Sequence, residues 1–312
     1  MQTRFAFLTA LAAPIVVQTR AASQPMTTIR LGSAPNDDLI AALWAIENGA
    51  FRRAGIDVVL QMANSGAAVA AAVAGNGVEI GHANLVSWIT GRMRGLPFVL
   101  IAPAGIYSAD ALTVGTIVAK DSPIKSAADC NGKSVGVSGL NDLAELGTRS
   151  WVDRNGGDAK TLRFVEIPTS AIGDAVASGR VDAGTVSSPS ITRALAGGKV
   201  RLLAAPDSAI ASRFLESAYV GTADYVARNR AAITAFRRII NEAGAYANDH
   251  HAQMLPIITK YIGVDPKVLA AEPQQLVGTS LDLRFIQPLI KAAVTYGVIP
   301  SSFDVLTMID HD

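Results

Sequence analysis

The sequence is poor in several residue types, and each shortage excludes a class of protein. Its one cysteine, Cys130, has no partner for an internal disulfide and no cysteine or histidine at the spacing of a metal site. Charged residues make up 17% of the 312 residues, and the formal net charge is +1. Because no basic stripe is present to neutralise a phosphate backbone, we expect no nucleic-acid partner.

Long hydrophobic runs are missing too, with one exception at the N-terminus. After residue 23 no uninterrupted apolar stretch reaches about 18 residues, the length that a membrane-spanning helix needs. At the N-terminus, Arg4 precedes a mostly apolar run at 5–17, and small residues follow at 21–23. This order predicts a secretory signal peptide at 1–23, the alternative being a buried N-terminal helix.

The remaining chain is rich in apolar residues, which make up 50% of the sequence, and it contains an internal repeat. The stretch SAPND at 33–37 is echoed by SGLND at 138–142, and the stretch at 67–79 is echoed at 170–182. Self-similarity at an offset of 103 to 105 residues indicates two copies of one structural unit.

Each copy has the pattern of a β-α-β-α-β unit, in which short apolar strands alternate with helices. Strands are predicted at 28–31, 57–61 and 78–81 and at 133–137, 163–167 and 181–185, and helices at 38–50, 67–74, 142–155 and 170–177. This order favours two mostly parallel sheets with helices on both faces.

The rest of the chain is expected to connect and cover these sheets. Strands near 115–119 and 216–221 are predicted to cross between two lobes as a hinge, and helices are predicted at 225–248, 252–262, 266–277 and 282–296. The predicted division is a first lobe at 24–116 that returns at 217–312, with a second lobe at 117–216.

Several segments resemble the SsuA-like family of periplasmic binding proteins, which serve importers of sulfonates, nitrate, taurine and thiamine precursors. The matching segments are ENGAFRRAGIDV at 47–58, Ser65-Gly66 with its alanine-rich helix, GVEIG at 77–81, DSPIKSAADCNGKSVGV at 121–137 and SGRVDAG at 178–184. The resemblance implies the α/β, two-lobed type II periplasmic-binding-protein fold with two crossing hinge strands. It also implies secretion and delivery of a solute to an ABC-transporter permease.

Ligand contacts are expected on the loops that follow the strands, because open parallel sheets bind their ligands beyond the carboxyl ends of the strands. Helices that begin there offer free N–H groups and a positive dipole end. The candidate ligand-binding residues are Ser33, Asn36, Asp37, Asp38, Ser65, Gly66, His82, Asn84, Gly139, Asn141, Asp142, Thr169, Ser187 and Ser188.

Some of these residues have a second interpretation that the sequence leaves open. The three aspartates and Asn141 are equally suited to cap a helix N-terminus. His82 would either donate a hydrogen bond to the ligand or tie two loops together. Trp88 and Tyr107, outside the candidate set, would form either an aromatic wall of the site or part of the core.

The charge of the candidate loops departs from the family pattern. Sulfonate and nitrate binders usually place a cationic side chain beside the ligand, whereas these loops carry acids and no lysine or arginine; the nearest are Arg149 and Arg193. The loops therefore favour a neutral heteroaromatic, an amine-bearing solute or an uncharged amide over a strong inorganic anion. A carboxylate held by helix N-termini is also compatible with them.

Enzymatic motifs are incomplete in this chain. The segment GVSG at 136–139 is followed by Leu140, where a nucleophile elbow has its second glycine. His250 and His251 are adjacent, so they cannot share one face of a helix as metal ligands. We therefore expect a protein that is not an enzyme, with no catalytic residue, no metal and no cofactor.

The predicted function is that of a monomeric, periplasmic solute-binding subunit of an ABC importer. It would capture a small organic molecule between its lobes by hinge closure and deliver it to the membrane permease. The alternatives are a periplasmic sensor or docking module of the same fold, and an enzyme of the thiamine-precursor type.

Overall fold

The computed structural model describes residues 26–270 and 273–310, so the predicted signal peptide at 1–23 lies outside the described residues. The strands are β1 (Thr27–Ser33), β2 (Ile56–Met62), β3 (Ile80–Asn84), β4 (Phe98–Pro103), β5 (Gly105–Ser108), β6 (Val114–Ala119), β7 (Ser134–Val137), β8 (Arg163–Glu166), β9 (Ala183–Ser187), β10 (Val200–Ala204), β11 (Arg213–Leu215), β12 (Ser217–Thr222) and β13 (Leu276–Val277).

Helices precede, separate and follow these strands. They are α1 (Ile40–Glu47), α2 (Ala50–Arg53), α3 (Gly66–Ala74), α4 (Leu85–Met93), α5 (Leu143–Arg154), α6 (Thr169–Ala177), α7 (Ser190–Ala196), α8 (Ala223–Arg228), α9 (Arg230–Asp249), α10 (His251–Ile262), α11 (Pro266–Ala270) and α12 (Leu283–Thr295). In the part of the chain that the structure describes, no helix is both long and apolar enough to cross a membrane.

The two five-stranded sheets have the same strand order. The first sheet runs β2-β1-β3-β12-β4, with β12 as its antiparallel member. The second runs β8-β7-β9-β6-β10, with β6 as its antiparallel member. The sequence repeat thus corresponds to two sheets of one design, and the prediction of an α/β fold with mostly parallel sheets flanked by helices is confirmed.

The crossings between the sheets lie next to the predicted positions. The strands expected near 115–119 and 216–221 are β6 and β12, and each is hydrogen-bonded on both sides inside a five-stranded sheet. The chain crosses through β5 and β11 instead, which precede β6 and β12 and pair antiparallel with each other. Both β6 and β12 are almost completely buried, because an antiparallel strand in mid-sheet has a neighbour on either side.

Two predicted helices are shorter in the structure. The helix expected at 38–50 begins as a 3-10 turn at Asp37–Leu39, continues as α1, and is interrupted by Gly49, whose φ of 73° is left-handed. The helix expected at 266–277 was wrong at its C-terminal end, because Leu276–Val277 forms β13 against β5. Pro273 lies between them and disfavours helix on its N-terminal side.

The C-terminal helices complete the cores on the first sheet. Ile233, Phe236 and Ile240 of α9 join the core that contains α1. The apolar face of α12 packs into a second core, around Trp88, and α5 of the second sheet contributes Leu146 to that same core. The two halves of the molecule are therefore in direct apolar contact behind the cleft that separates their strand ends.

Glycine lets a helix pack directly on a strand in both sheets. A Cβ atom on Gly81 would lie 2.6 Å from the Trp88 ring and 2.7 Å from Val69 on α3. A Cβ atom on Gly184 would lie 2.4 Å from Ile172 on α6. The two glycines occupy equivalent positions in the repeat, so the same close approach holds α3 and α6 against their sheets.

Substitution of either glycine by alanine is expected to destabilise the protein. Gly81→Ala and Gly184→Ala should each lower the free energy of unfolding by about 1–3 kcal/mol, because the added methyl overpacks a closed contact. Urea unfolding monitored by circular dichroism measures the change. Gly136→Ala on β7 is the control, since its Cβ would lie 3.1 Å from the nearest atom, a looser contact than at Gly81 or Gly184. Native-like stability of both Gly81→Ala and Gly184→Ala would contradict the packing described.

Candidate functional site

A cleft lies where the carboxyl ends of the parallel strands in the two sheets face each other. It encloses about 650 Å³, counted out to the open solvent at its mouth. Its walls are formed by Ala34, Asn36, Asn64, Ser65, Gly66, Ala83, Asn84, Val114, Ser138, Asp142, Leu143, Ala144, Thr169, Thr185, Val186, Ser187, Asp207 and Glu216. Both copies of the repeat contribute residues to this wall.

Half of the candidate residues from the sequence line this cleft. They are Asn36, Ser65, Gly66, Asn84, Asp142, Thr169 and Ser187. The other candidates do not reach the cleft wall; they are Ser33, Asp37, Asp38, His82, Gly139, Asn141 and Ser188. The lining residues remain a proposed binding set.

Three of the lining residues cap helices that begin at the cleft. Ser65 Oγ accepts from Ala68 N at 3.3 Å at the start of α3, and Asn84 Oδ1 accepts from Ser87 N at 3.0 Å at the start of α4. Asp142 Oδ1 accepts from Leu143 N at 2.7 Å at the start of α5. The capping interpretation therefore holds for Asp142, but a capping side chain can also be part of the cleft wall.

Asp142 links the two halves of the molecule. Ser87, on α4 beside the first sheet, donates from Oγ to Asp142 Oδ1 at 3.2 Å across the cleft. Burial raises the pKa of the Asp142 carboxyl to about 6, although hydrogen bonds from Leu143, Asn84 and Ser87 favour its ionised form. This acid thus lies in a dry position on the cleft wall.

His82 ties loops together beneath the cleft. Its Nδ1 is 2.9 Å from Ser33 Oγ, and its Nε2 is 3.5 Å from Asp38 Oδ1. Ser217 donates to the other Asp38 oxygen at 2.5 Å. Burial opposes ionisation of Asp38, but the charge of His82 and these hydrogen bonds lower its pKa below the ordinary value. Of the two interpretations of His82, the structure supports the one in which it connects loops.

The remaining candidates have other surroundings. Asp37 lies at a separate cavity beside α10. Asn141 is exposed, with a left-handed φ of 55°, and its N–H donates to Glu145. Ser188 is buried behind the wall, and Gly139 packs beside the Asp142 carboxylate.

Sequence reasoning missed two acids in this cleft, Asp207 and Glu216. Both lie on the connection that returns from the second sheet to the first, and not on a loop of the repeat. A signal was available, since each is a lone acid in a largely apolar stretch, at 202–210 and at 214–220. A carboxylate in such surroundings is costly to bury, so it indicates a function or a partner.

Asp207 is the most unusual group in the cleft wall. It is 0% exposed, and neither carboxylate oxygen has a hydrogen-bond partner among the described residues. Gly147 of α5 packs directly on it, because a Cβ there would lie 1.9 Å from Oδ1. Burial alone raises the pKa of Asp207 to about 7.

Glu216 adds a third carboxyl to the same cleft. Burial raises its pKa well above the ordinary value, and the negative charges of Asp38, Asp207 and Asp37 raise it further. One hydrogen bond partly opposes this shift, from Gln275 Nε2 to Glu216 Oε2 at 3.2 Å. The cleft therefore gathers three carboxyl groups in a poorly solvated space, where burial favours the protonated form of each.

Cations and aromatic rings are absent from the described residues that line the cleft. Arg149 pairs with Glu145 at 2.7 Å and stacks on Phe164, and Arg193 lines neighbouring cavities. Trp88 is fully buried and donates to the carbonyls of Ala83 and Ala218, while Tyr107 stacks on Phe214. Both rings therefore belong to the core, and neither forms a wall of the cleft.

Two mostly parallel sheets of one design, facing each other across a cleft, define a class: the two-lobed periplasmic-binding-protein fold. Residues 36–253, well over half of the chain, match the model of the NMT1/THI5-like family. The chain belongs to this family. No curated protein matches it significantly.

Solved structures share the fold at low sequence identity. The aliphatic sulphonate-binding protein SsuA of Escherichia coli is 19% identical, with a TM-score of 0.73 over 91% of this chain and 97% of that one. The alkanesulfonate-binding protein SsuA of Xanthomonas axonopodis pv. citri, bound to MOPS, is 16% identical, with a TM-score of 0.74 over 93% and 99%. The nitrate-binding protein NrtA of Synechocystis PCC 6803 is also 16% identical, with a TM-score of 0.74 over 89% and 84%.

The unpaired Asp207 gives a prediction about pH. Its folded-state pKa of about 7 lies above the ordinary 3.8, so the folded protein holds a proton that the unfolded chain releases first. Stability is therefore lost as the pH rises from about 4 through 7. Asp207→Asn removes this cost and should stabilise the ligand-free protein by about 2–4 kcal/mol at pH 8, and much less at pH 5.

Urea unfolding of the native protein and Asp207→Asn at pH 5 and pH 8 measures this difference. Asp174→Asn is the matched control, because Asp174 is exposed on α6 and undergoes the same change in charge. An Asp207→Asn effect of equal size at both pH values would show that the carboxyl is not held in its protonated form.

Proposed function

We propose that this protein is the solute-binding subunit of an ABC importer, which captures a small organic molecule in the cleft and delivers it to a membrane permease. One observation carries the proposal furthest: two lobes of the periplasmic-binding-protein fold enclose a cleft lined by three carboxyl groups, Asp142, Asp207 and Glu216. The solute is uncharged or cationic, since an anion would face these carboxylates without a counter-charge.

The neighbouring structures support the general role of solute binding. The solutes in their names differ in charge from the solute proposed here. Two of them are described as sulfonate binders and one as a nitrate binder. A sulfonate or nitrate needs donors with positive charge or N–H groups aimed at it. In this chain the cleft offers helix N-termini, but two of their caps, Ser65 and Asp142, already accept from the first helical N–H groups.

Closure of the lobes is the proposed mechanism of capture. In the described structure α7 of the second lobe contacts α11 of the first at the cleft mouth, and the Ser87–Asp142 bond spans the interior. Opening would break both contacts while the chain bends at the β5–β11 crossing. The proposed lobes are 24–116 with 217–312, and 117–216, working as a monomer in the periplasm after removal of residues 1–23.

A catalytic role is less well supported than binding. Ser33, His82 and Asp38 form a chain that has the residue types of a hydrolase triad. Ser33 does not line the cleft, and its hydroxyl donates to the carbonyl of Ala34. The chain of contacts is better explained as a brace between β1, β3 and the loop that leads to α1.

Thermal-shift measurements with a solute panel test the proposal. The panel contains sulfonates, nitrate, carboxylates, amides, amines and pyrimidines. A true ligand at one hundred times its dissociation constant should stabilise the protein by about 2.7 kcal/mol. We expect hits among neutral or cationic compounds and none for nitrate or sulfonates.

Small-angle scattering with and without the compound that binds tests the mechanism. Ligand-induced closure should shorten the maximum dimension of the protein. A sulfonate or nitrate that binds tightly would contradict the charge argument, and binding without any change in the scattering curve would contradict closure.

A further inference from the structure

We propose that the solute carries a protonated primary or secondary amine, which is held by Asp207 in a cavity that Asp142 and Glu216 also line. This inference rests on the proposed function, because it names the class of solute that the cleft selects. It is carried by the placement of three carboxyl groups on one cavity wall, one of which has no partner within the described part of the protein.

The Asp207 carboxyl group has no hydrogen-bond partner within residues 26–270 and 273–310. Both of its oxygens are buried without a donor, although hydroxyl and amide groups are plentiful elsewhere in the cleft. A buried carboxylate is stable only when it is paired or hydrogen-bonded, or when it has taken up a proton. An ammonium group in the cavity would supply both the charge and the hydrogen bonds.

Glu216 and Asp142 also lack a positively charged partner among the described residues. Glu216 lies close enough to Asp207 for their charges to interact, and the group that donates to its carboxylate in the described structure is the neutral amide of Gln275. Asp142 receives neutral donors as well, from Ser87 and the Leu143 N–H. No lysine or arginine lines the cavity in the described residues, so a cationic solute would be the counter-charge that the wall lacks.

The chemistry of the walls distinguishes between kinds of cation. Quaternary ammonium ligands are usually held by aromatic faces, and no aromatic ring lines this cleft in the described ranges. A heteroaromatic solute would likewise have no ring to stack on. Carboxylate oxygens accept hydrogen bonds, so they favour an ammonium that still carries N–H groups.

A metal ion is a poorer match than an amine. Within the described residues, no group of three or more histidine, cysteine, aspartate or glutamate side chains is arranged to hold a metal. The apolar side chains of Val114, Leu143 and Val186 also line the cavity. They fit a short aliphatic skeleton that carries the amine.

Isothermal titration calorimetry on the purified protein tests the assignment with matched pairs of probes. The pairs are ethanolamine against choline, putrescine against 1,4-butanediol, and glucosamine against glucose. Choline keeps the charge of ethanolamine and loses its N–H groups, whereas 1,4-butanediol and glucose lose both the charge and the N–H groups of their amine partners. We expect at least one amine to bind at least tenfold more tightly than its partner in the pair.

The variant Asp207→Asn identifies the anchoring group. It should lower the affinity for the preferred amine at least tenfold, whereas Asp174→Asn, which loses the same charge from the exposed face of α6, should bind as the native protein does. Urea unfolding of Asp207→Asn at pH 8 shows whether this variant is folded, so a loss of affinity is not mistaken for a loss of structure.

The possible outcomes distinguish the amine assignment from the proposed solute-binding function on which it rests. Preferred binding of a neutral, quaternary or anionic compound, with affinity unchanged in Asp207→Asn, would overturn the amine assignment and leave the binding role in place. Failure of every compound in this set and in the wider panel to bind would overturn the proposed function and the amine assignment together.

Discussion

The direction of the parallel strands determines where the polar groups of this molecule meet. In each sheet the strands of the repeat end at the same edge, and the helices that follow them begin there. Those helices need caps for their first N–H groups, which Ser65, Asn84 and Asp142 provide. Because the unit occurs twice and the two edges face each other, capping groups from both copies line one cleft.

The capping role explains most of the polar residues in the cleft, but it does not explain the acids from the crossing segment. Asp207 and Glu216 cap no helix that begins at the cleft, and the carboxylate oxygens of Asp207 have no hydrogen bond among the described residues. Natural sequences break the rules of polar satisfaction mainly at functional sites. The cost of burying these carboxyl groups is therefore better understood as part of ligand selection than as part of folding.

The fold could be predicted from the sequence because each strand and helix of the repeat has its own local sequence pattern. Apolar strands, alanine-rich helices and the glycines at 81 and 184 recur in the same order, and each reports on its own neighbourhood. The helix expected at 266–277 failed for a related reason: its apolar residues suit either structure, and contact with β5, distant in sequence, makes Leu276–Val277 a strand.

The site was predicted only in part, because tertiary structure determines which polar side chains reach the cleft. Sequence reasoning located the strand-end loops. It could not show that His82 and Ser33 contact each other beneath the cleft while Asn84 and Ser187 reach the cleft wall. The crossing segment lies outside the repeat, so comparison of the two copies gave no reason to examine Asp207 or Glu216. Their isolation in apolar stretches was the local signal.

Family membership and charge answer different questions about this protein. The NMT1/THI5-like match and the shared fold describe how two lobes are built and how they face each other. The fold does not determine the solute, because the same scaffold accepts unrelated ligands when its loops change. The sulfonate-binding and nitrate-binding neighbours share less than a fifth of their residues with this chain. At that distance the cleft's own chemistry is the stronger guide, and a dry cavity with three carboxyl groups and no lining cation among the described residues is the reason for proposing a solute other than the anions that those neighbours are named for.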